Sequence, residues 1–209
     1  TGFGLGRVLG PAPLEEALAE TSFEYALYAD LNDPRGAGLV LLHTDPAFFV
    51  DELRPFLVKD PFVRLTPKPE FTMFGRTYAV GYEHDLEQVL VNRARQRVLD
   101  PQNDWAVWYP LRRSGAFAQL DQKEQMNILS EHGAIGRAYG EAGFAQDVRL
   151  ACHGLDKADN DFVIGLLGKD LMPLSHLVQR MRKTVQTSQY IEHLGPFFVG
   201  KIVAQAQMA

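Results

Sequence analysis

Apolar residues recur along this chain with two alternating periods, and the switches between them mark its elements. From Phe23 to Leu31 the apolar residues fall at every second position (Phe23, Tyr25, Leu27, Ala29, Leu31), the period of a half-buried strand. The turn cluster Asn32 to Gly36 follows, and a short apolar strand is predicted over 38–44. Asp45-Pro46 has the chemistry of a helix start, with a side-chain cap before a proline at the first helical position. Phe48, Phe49, Leu53, Phe56 and Leu57 then recur at helical spacing, with Pro55 kinking or ending that helix. A long strand is read from Phe71 to Tyr82, interrupted by Gly75 and Gly81, and a short helix after it. Arg93, Arg95 and Arg97 form a small basic run, read as a solvated connector, with contact to carboxylates of a ligand or neighbouring subunit as the alternative.

The segment Asp100 to Asp104 is the best boundary in the chain and divides it into halves 1–104 and 105–209. The second half has a countable order: strand 105–111, helix 121–139, strand 147–153, strand 161–167, helix 171–187, strand 197–203. This is βαββαβ, the ferredoxin-like split motif. The first half reads as an incomplete version of it. Periodicity therefore supports an α+β protein with an antiparallel sheet and helices on one face.

The helix of the second half opens on Asp121-Gln-Lys-Glu124, a capping-box pattern. Ile128, His132, Ile135 and Tyr139 share one helical face, so His132 points inward. Gly133 and Gly136 flank it and allow backbone or a flat ligand to approach. An inward histidine is either a core residue with one satisfied nitrogen or an axial ligand to heme iron, and spacing alone does not choose. In the next strand Val148, Leu150 and Cys152 fall on one side, with Arg149, Ala151 and His153 on the other.

Composition narrows the classes. An apolar content of 46% with 22% charged residues describes a globular protein, long enough for a sizeable core. The net charge of -5 argues against a nucleic-acid partner, since phosphate neutralisation needs clustered Lys and Arg. A single cysteine, Cys152, excludes an internal disulfide framework and fits a reducing compartment. With no apolar run near membrane length and no secretory leader, no membrane partner and a cytoplasmic location are expected. Gly2, Gly4, Gly6 and Gly10 look faintly like a dinucleotide loop but lack the strand that must precede one, so an arm is expected there. The histidines and the cysteine show no metal-cluster spacing.

Five blocks in order carry a resemblance: Trp108-Tyr-Pro-Leu-Arg-Arg113; Ser130-Glu-His-Gly133 with Gly136-Arg-Ala-Tyr139; Gly154-Leu-Asp156; Met181-Arg182; and Gly195-Pro-Phe-Phe-Val-Gly-Lys201. The second half resembles the chlorite dismutase family, which includes the coproheme decarboxylases. The resemblance implies two ferredoxin-like units with packed antiparallel sheets, of dimeric α+β barrel type, and a homo-oligomer, commonly a pentamer. It makes His132 the proximal ligand to the iron of heme b or coproheme.

The glutamate that usually supports that histidine is absent. Gln186 is the nearest substitute, which implies a less imidazolate-like ligand. The distal residue is Arg149 or Gln146, and Arg149 is preferred because it faces away from the apolar set, where a buried cation needs a purpose. Arg112 and Arg113 are implied as propionate partners, and Tyr109 matches the radical-relay tyrosine of the decarboxylases. Phe117 stands where the family usually has tryptophan. The expected activity is a heme-dependent oxidoreductase that breaks an O–O or Cl–O bond of a peroxide or small oxyanion. A coproheme decarboxylase and a non-catalytic heme-binding or structural member are the alternatives.

Overall fold

The computed structural model describes residues 11–81 and 83–206, so the glycine-rich segment before Pro11 lies outside the described residues. The chain forms two compact units, Thr1–Pro67 with Gly200–Ala209, and Lys68–Val199.

In the first unit, helix α1 (Ala12–Ala19) turns Leu14 and Leu18, one helical turn apart, into a core with Tyr25, Leu27 and Phe62. The sequence reading placed only an arm here. With 8 residues and one apolar pair, the helix is too short to show a clear period. Strand β1 (Glu24–Asp30) pairs antiparallel with β2 (Ala37–Leu42), as predicted. The turn between them closes on Gly36, where a Cβ would stand 2.8 Å from Asp30 Cβ. The far edge of β1 takes the end of β7 (Phe198–Gln205).

The helix expected after Asp45 is capped as predicted, Ala47 N donating to Asp45 Oδ1 at 2.9 Å. It is not one α-helix, however. A π-helical turn, Phe49–Leu53, precedes α2 (Arg54–Leu57), whose first turn contains Pro55. Proline has no N–H for the preceding turn, and the wider winding accommodates it.

In the second unit the long strand expected over 71–82 does not form among the described residues. A 3-10 turn, Pro69–Phe71, leads into an irregular segment whose one bridge joins Arg76 to Ala151. Gly75 lies against Leu150, a Cβ there being 2.7 Å from Leu150 Cβ, and glycines at 75 and 81 weaken the segment as a strand. A π-helical turn, Gln88–Asn92, continues into α3 (Arg93–Val98), which buries Ala94 and Val98.

The sheet of this unit runs β6 (Ile191–Leu194), β3 (Trp105–Arg113), β5 (Phe162–Gly168), β4 (Gln146–Ala151), all antiparallel. Helix α4 (Gly115–Ala118) follows β3. Helix α5 (Gln122–Glu141) carries the complete capping box between Asp121 and Glu124. The expected helix 171–187 is broken into α6 (Leu171–Met181) and α7 (Val185–Tyr190) by Thr184, whose side chain caps α7. The chain then enters β6, which sequence periodicity missed because it has only 4 residues.

Register decides which side chains face the helices. Leu111 lies opposite Phe162, Tyr109 opposite Ile164, and Val107 opposite Leu166. Ile164 in turn lies opposite Arg149, and Leu166 opposite Asp147. These residues share the sheet face on which Ile135, Tyr139, Leu174 and Leu177 pack. Leu174 is fully buried there, and such a side chain contributes roughly 1.5–3 kcal/mol. On the opposite face Trp108 covers Gly165, where a Cβ would sit 2.5 Å from the indole. The fold is the α+β class that the periodicity predicts.

Candidate functional site

The inward face of α5 is as expected: Tyr139 is buried, and Ile128, His132 and Ile135 are half-buried. His132 Nδ1 stands 3.5 Å from Thr184 Oγ1. Thr184 is 1% exposed, and its hydroxyl proton is committed to the Met181 carbonyl at 2.8 Å. The oxygen is therefore an acceptor towards the ring. That arrangement favours the tautomer with the proton on Nδ1 and the lone pair on Nε2.

Next to the histidine, Glu131 Oε2 accepts from Val185 N at 3.0 Å. Consecutive residues of α5 thus hold consecutive residues at the start of α7. Gln186, the expected ring partner, is buried but makes no such contact. Its Oε1 has no hydrogen-bond partner among the described residues. Burial pushes the His132 pKa below its ordinary value, and the Arg149 and Arg113 guanidiniums push the same way.

Those guanidiniums come from the sheet face opposite. Arg149 faces away from buried Val148 as predicted, but it is not a buried cation. Its side chain is 59% exposed, and its Nε donates to Asp147 Oδ2 at 2.8 Å. The other oxygen, Oδ1, accepts from Arg97 at 3.0 Å, and Arg97 also donates to the Asp147 backbone carbonyl. The basic run is therefore more than a solvated connector, because Arg97 ties α3 to β4.

Arg113 lies between two rings, its guanidinium carbon 4.9 Å from the centroids of both Phe117 and Phe162. Burial lowers its pKa, and its Nε has no hydrogen-bond partner among the described residues. It remains a cation, since guanidinium does not deprotonate in proteins. Phe117 is buried and meets Tyr190 edge to face at 5.7 Å.

The remaining expected residues lie elsewhere. Arg112 is engaged by Asp159 at 3.4 Å, so the two neighbouring arginines are not equivalent. Gln146 donates to Asp100 at 3.2 Å and is out of phase with Arg149 on its strand, facing the other way. Tyr109 is buried and stacked on Phe197 at 4.6 Å, and burial raises its hydroxyl pKa well above the usual tyrosine value. Cys152 is a buried thiol pushed up to about 11 by burial, which suits packing rather than nucleophilic work.

Sequence reasoning missed Thr184, Glu131, Asp147 and Arg97. A threonine between two helical stretches is a cap signal, and an acid two residues before Arg149 shares its strand face. Both were visible. The 52-residue span between His132 and Thr184 was not.

Comparison with known proteins places this unit in a family. The family model described as chlorite dismutase matches residues 47–203, and the chain belongs to the chlorite dismutase family. Its fold is similar to that of a heme-binding protein from Thermus thermophilus, at 21% identity and TM-score 0.66, covering 91% of this chain and 77% of that one. It is also similar to chlorite dismutase from Candidatus Nitrospira defluvii in complex with imidazole, at 16% identity and TM-score 0.67, covering 91% and 78%. A mutant of the Nitrospira enzyme in complex with cyanide gives 15% identity and TM-score 0.68, covering 90% and 77%.

Proposed function

We propose that this chain binds heme b through His132 Nε2 and is a heme-dependent oxidoreductase of the chlorite dismutase type, converting chlorite to chloride and dioxygen. The carrying observation is the ring's surroundings, in which Thr184 Oγ1 faces Nδ1 as a hydrogen-bond acceptor, so that Nδ1 keeps its proton and Nε2 its lone pair. Membership of the family and a fold like that of a heme-binding protein support the same reading.

The residues present fit the group. Arg113 Nε, buried and without a hydrogen-bond partner among the described residues, is a donor that a propionate would satisfy, and Phe117 and Phe162 give its guanidinium a flat apolar setting. Heme held by His132 would supply a redox-active iron. Arg149 presents a guanidinium fork on the sheet side and holds the oxyanion, because planar paired donors match such an acceptor. His132 stays neutral near pH 7 and so remains a ligand. Thr184 gives the ring an uncharged partner, which makes the histidine a weaker donor and raises the reduction potential relative to a carboxylate partner.

Titrating the purified protein with heme b, and following the Soret band, tests binding. Dioxygen release on adding chlorite, read by an oxygen electrode, tests the reaction. Coproheme with peroxide, followed by mass spectrometry for loss of propionate carboxyl groups, tests the alternative in which Tyr109 acts as a radical relay. The proposal expects the first two to be positive. A stable heme complex that releases no dioxygen from chlorite refutes the oxyanion reading.

A further inference from the structure

An exposed arginine does not hold one orientation unaided. Arg149 is 59% exposed and lies beside a cavity of about 130 Å³ that Tyr78, Arg93, Arg97 and Asp147 also line, so its long side chain has room to swing. A single exposed ion pair is worth little against that side-chain freedom. The arrangement here is more than a single pair. Asp147 gives one oxygen to Arg149 and the other to Arg97, so both oxygens are engaged and the carboxylate is held from two sides. Arg97 additionally grips the Asp147 backbone carbonyl, which anchors the carboxylate to β4 itself. Arg97 belongs to α3, a helix fixed by burial of Ala94 and Val98.

We propose that Asp147 and Arg97 are positioning residues for Arg149, a relay that fixes the guanidinium towards the anion expected opposite His132. The proposal rests on the heme reading above. The carboxylate does two things whose signs differ. As a charge it repels an incoming anion, and as a tether it keeps Arg149 in place to receive that anion. Arg97 has no such conflict, since it is a cation and an anchor at once.

Fluoride titration of the heme-loaded ferric protein at pH 7 separates the two roles. Positioning predicts that Arg97→Gln and Asp147→Asn both weaken fluoride, by roughly three- to tenfold. It also predicts that neither change has a further effect in an Arg149→Gln background. A purely electrostatic role predicts opposite signs, with Asp147→Asn tightening fluoride, and that result overturns the proposal. Unchanged affinity in both variants, or effects that persist without Arg149, overturn it equally.

The heme-free protein gives an independent measurement. The Arg149 Nε–H nuclear magnetic resonance signal, identified by its loss in Arg149→Gln, exchanges slowly with water in the native chain and rapidly in Arg97→Gln. Equal exchange in the two refutes the relay whether or not heme binds. Failure of heme to bind, with the exchange difference present, refutes only the heme reading.

Discussion

The helix side and the sheet side of the site hold their functional groups by different means. On the helix side His132 is half-buried, its ring partner is a neutral hydroxyl, and the acid next to it in sequence, Glu131, is engaged with the amide of Val185. On the sheet side Arg149, Asp147 and Arg97 form a chain of charges that is partly exposed, and Arg113 is a cation wedged between aromatic rings. A ligand nitrogen must stay unprotonated, and burial among neutral partners beside cations secures that. A group that receives an anion must stay charged and aimed, which an ion-pair chain anchored on α3 provides. The two sides therefore tolerate substitution differently.

The sharpest way to break the contrast is His132→Ala, which removes the lone pair itself. Heme retention is expected to be lost, with no Soret band surviving gel filtration, while Arg149→Gln retains full heme content. In that second variant chlorite turnover is expected to fall about 10²–10³-fold, the effect of removing one donor to a developing oxyanion. A smaller change comes from Arg113→Ala. Loss of a charged hydrogen bond worth roughly 1.5–3 kcal/mol weakens heme binding about 10- to 100-fold, measurable by competition with apomyoglobin. Thr184→Val is the mildest for binding, since a long contact to a neutral hydroxyl is lost. It should lower the iron–histidine stretching frequency in the Raman spectrum and cost about 1 kcal/mol of stability through the lost cap of α7.

Acid sharpens the same comparison. The His132 pKa lies below its unfolded value of about 6.5, so the unfolded chain binds the proton more tightly than the folded one. The stability that the neutral ring contributes is fully present above that pH and is lost as pH falls through the lower folded value. Heme release on acid titration is accordingly expected with a midpoint below about 6.5, and Arg149→Gln should move it upward by removing one of the cations that hold the ring neutral.

Much of the second unit was legible in the sequence because its elements are long and its periods clean. The capping box at Asp121, the inward stripe through His132 and the alternation of β4 and β5 all stand where the pattern put them. Short or locally irregular pieces were not legible. Helix α1 has one apolar pair, β6 has too few residues to alternate, and the segment after Phe71 has aromatic content without the backbone for a ladder. The site failed at its second layer for a different reason. Gln186 was the natural substitute for a missing glutamate by position, but α6 and α7 break at Thr184, and the break turns the hydroxyl rather than the amide towards the ring. Arg149 was placed on the correct face and given the wrong burial, since a strand pattern reports direction and not depth.

The paired grip between Glu131–His132 and Thr184–Val185 has a mechanical meaning. Two adjacent contacts couple the segment that carries the imidazole to the start of α7. From Tyr190 the chain runs straight into β6, where the Tyr190 carbonyl accepts from Ser114 N at 2.8 Å. Strand β6 is thereby linked to the helix that flanks the histidine, and a disturbance at Ser114 should be felt at an imidazole that it never touches.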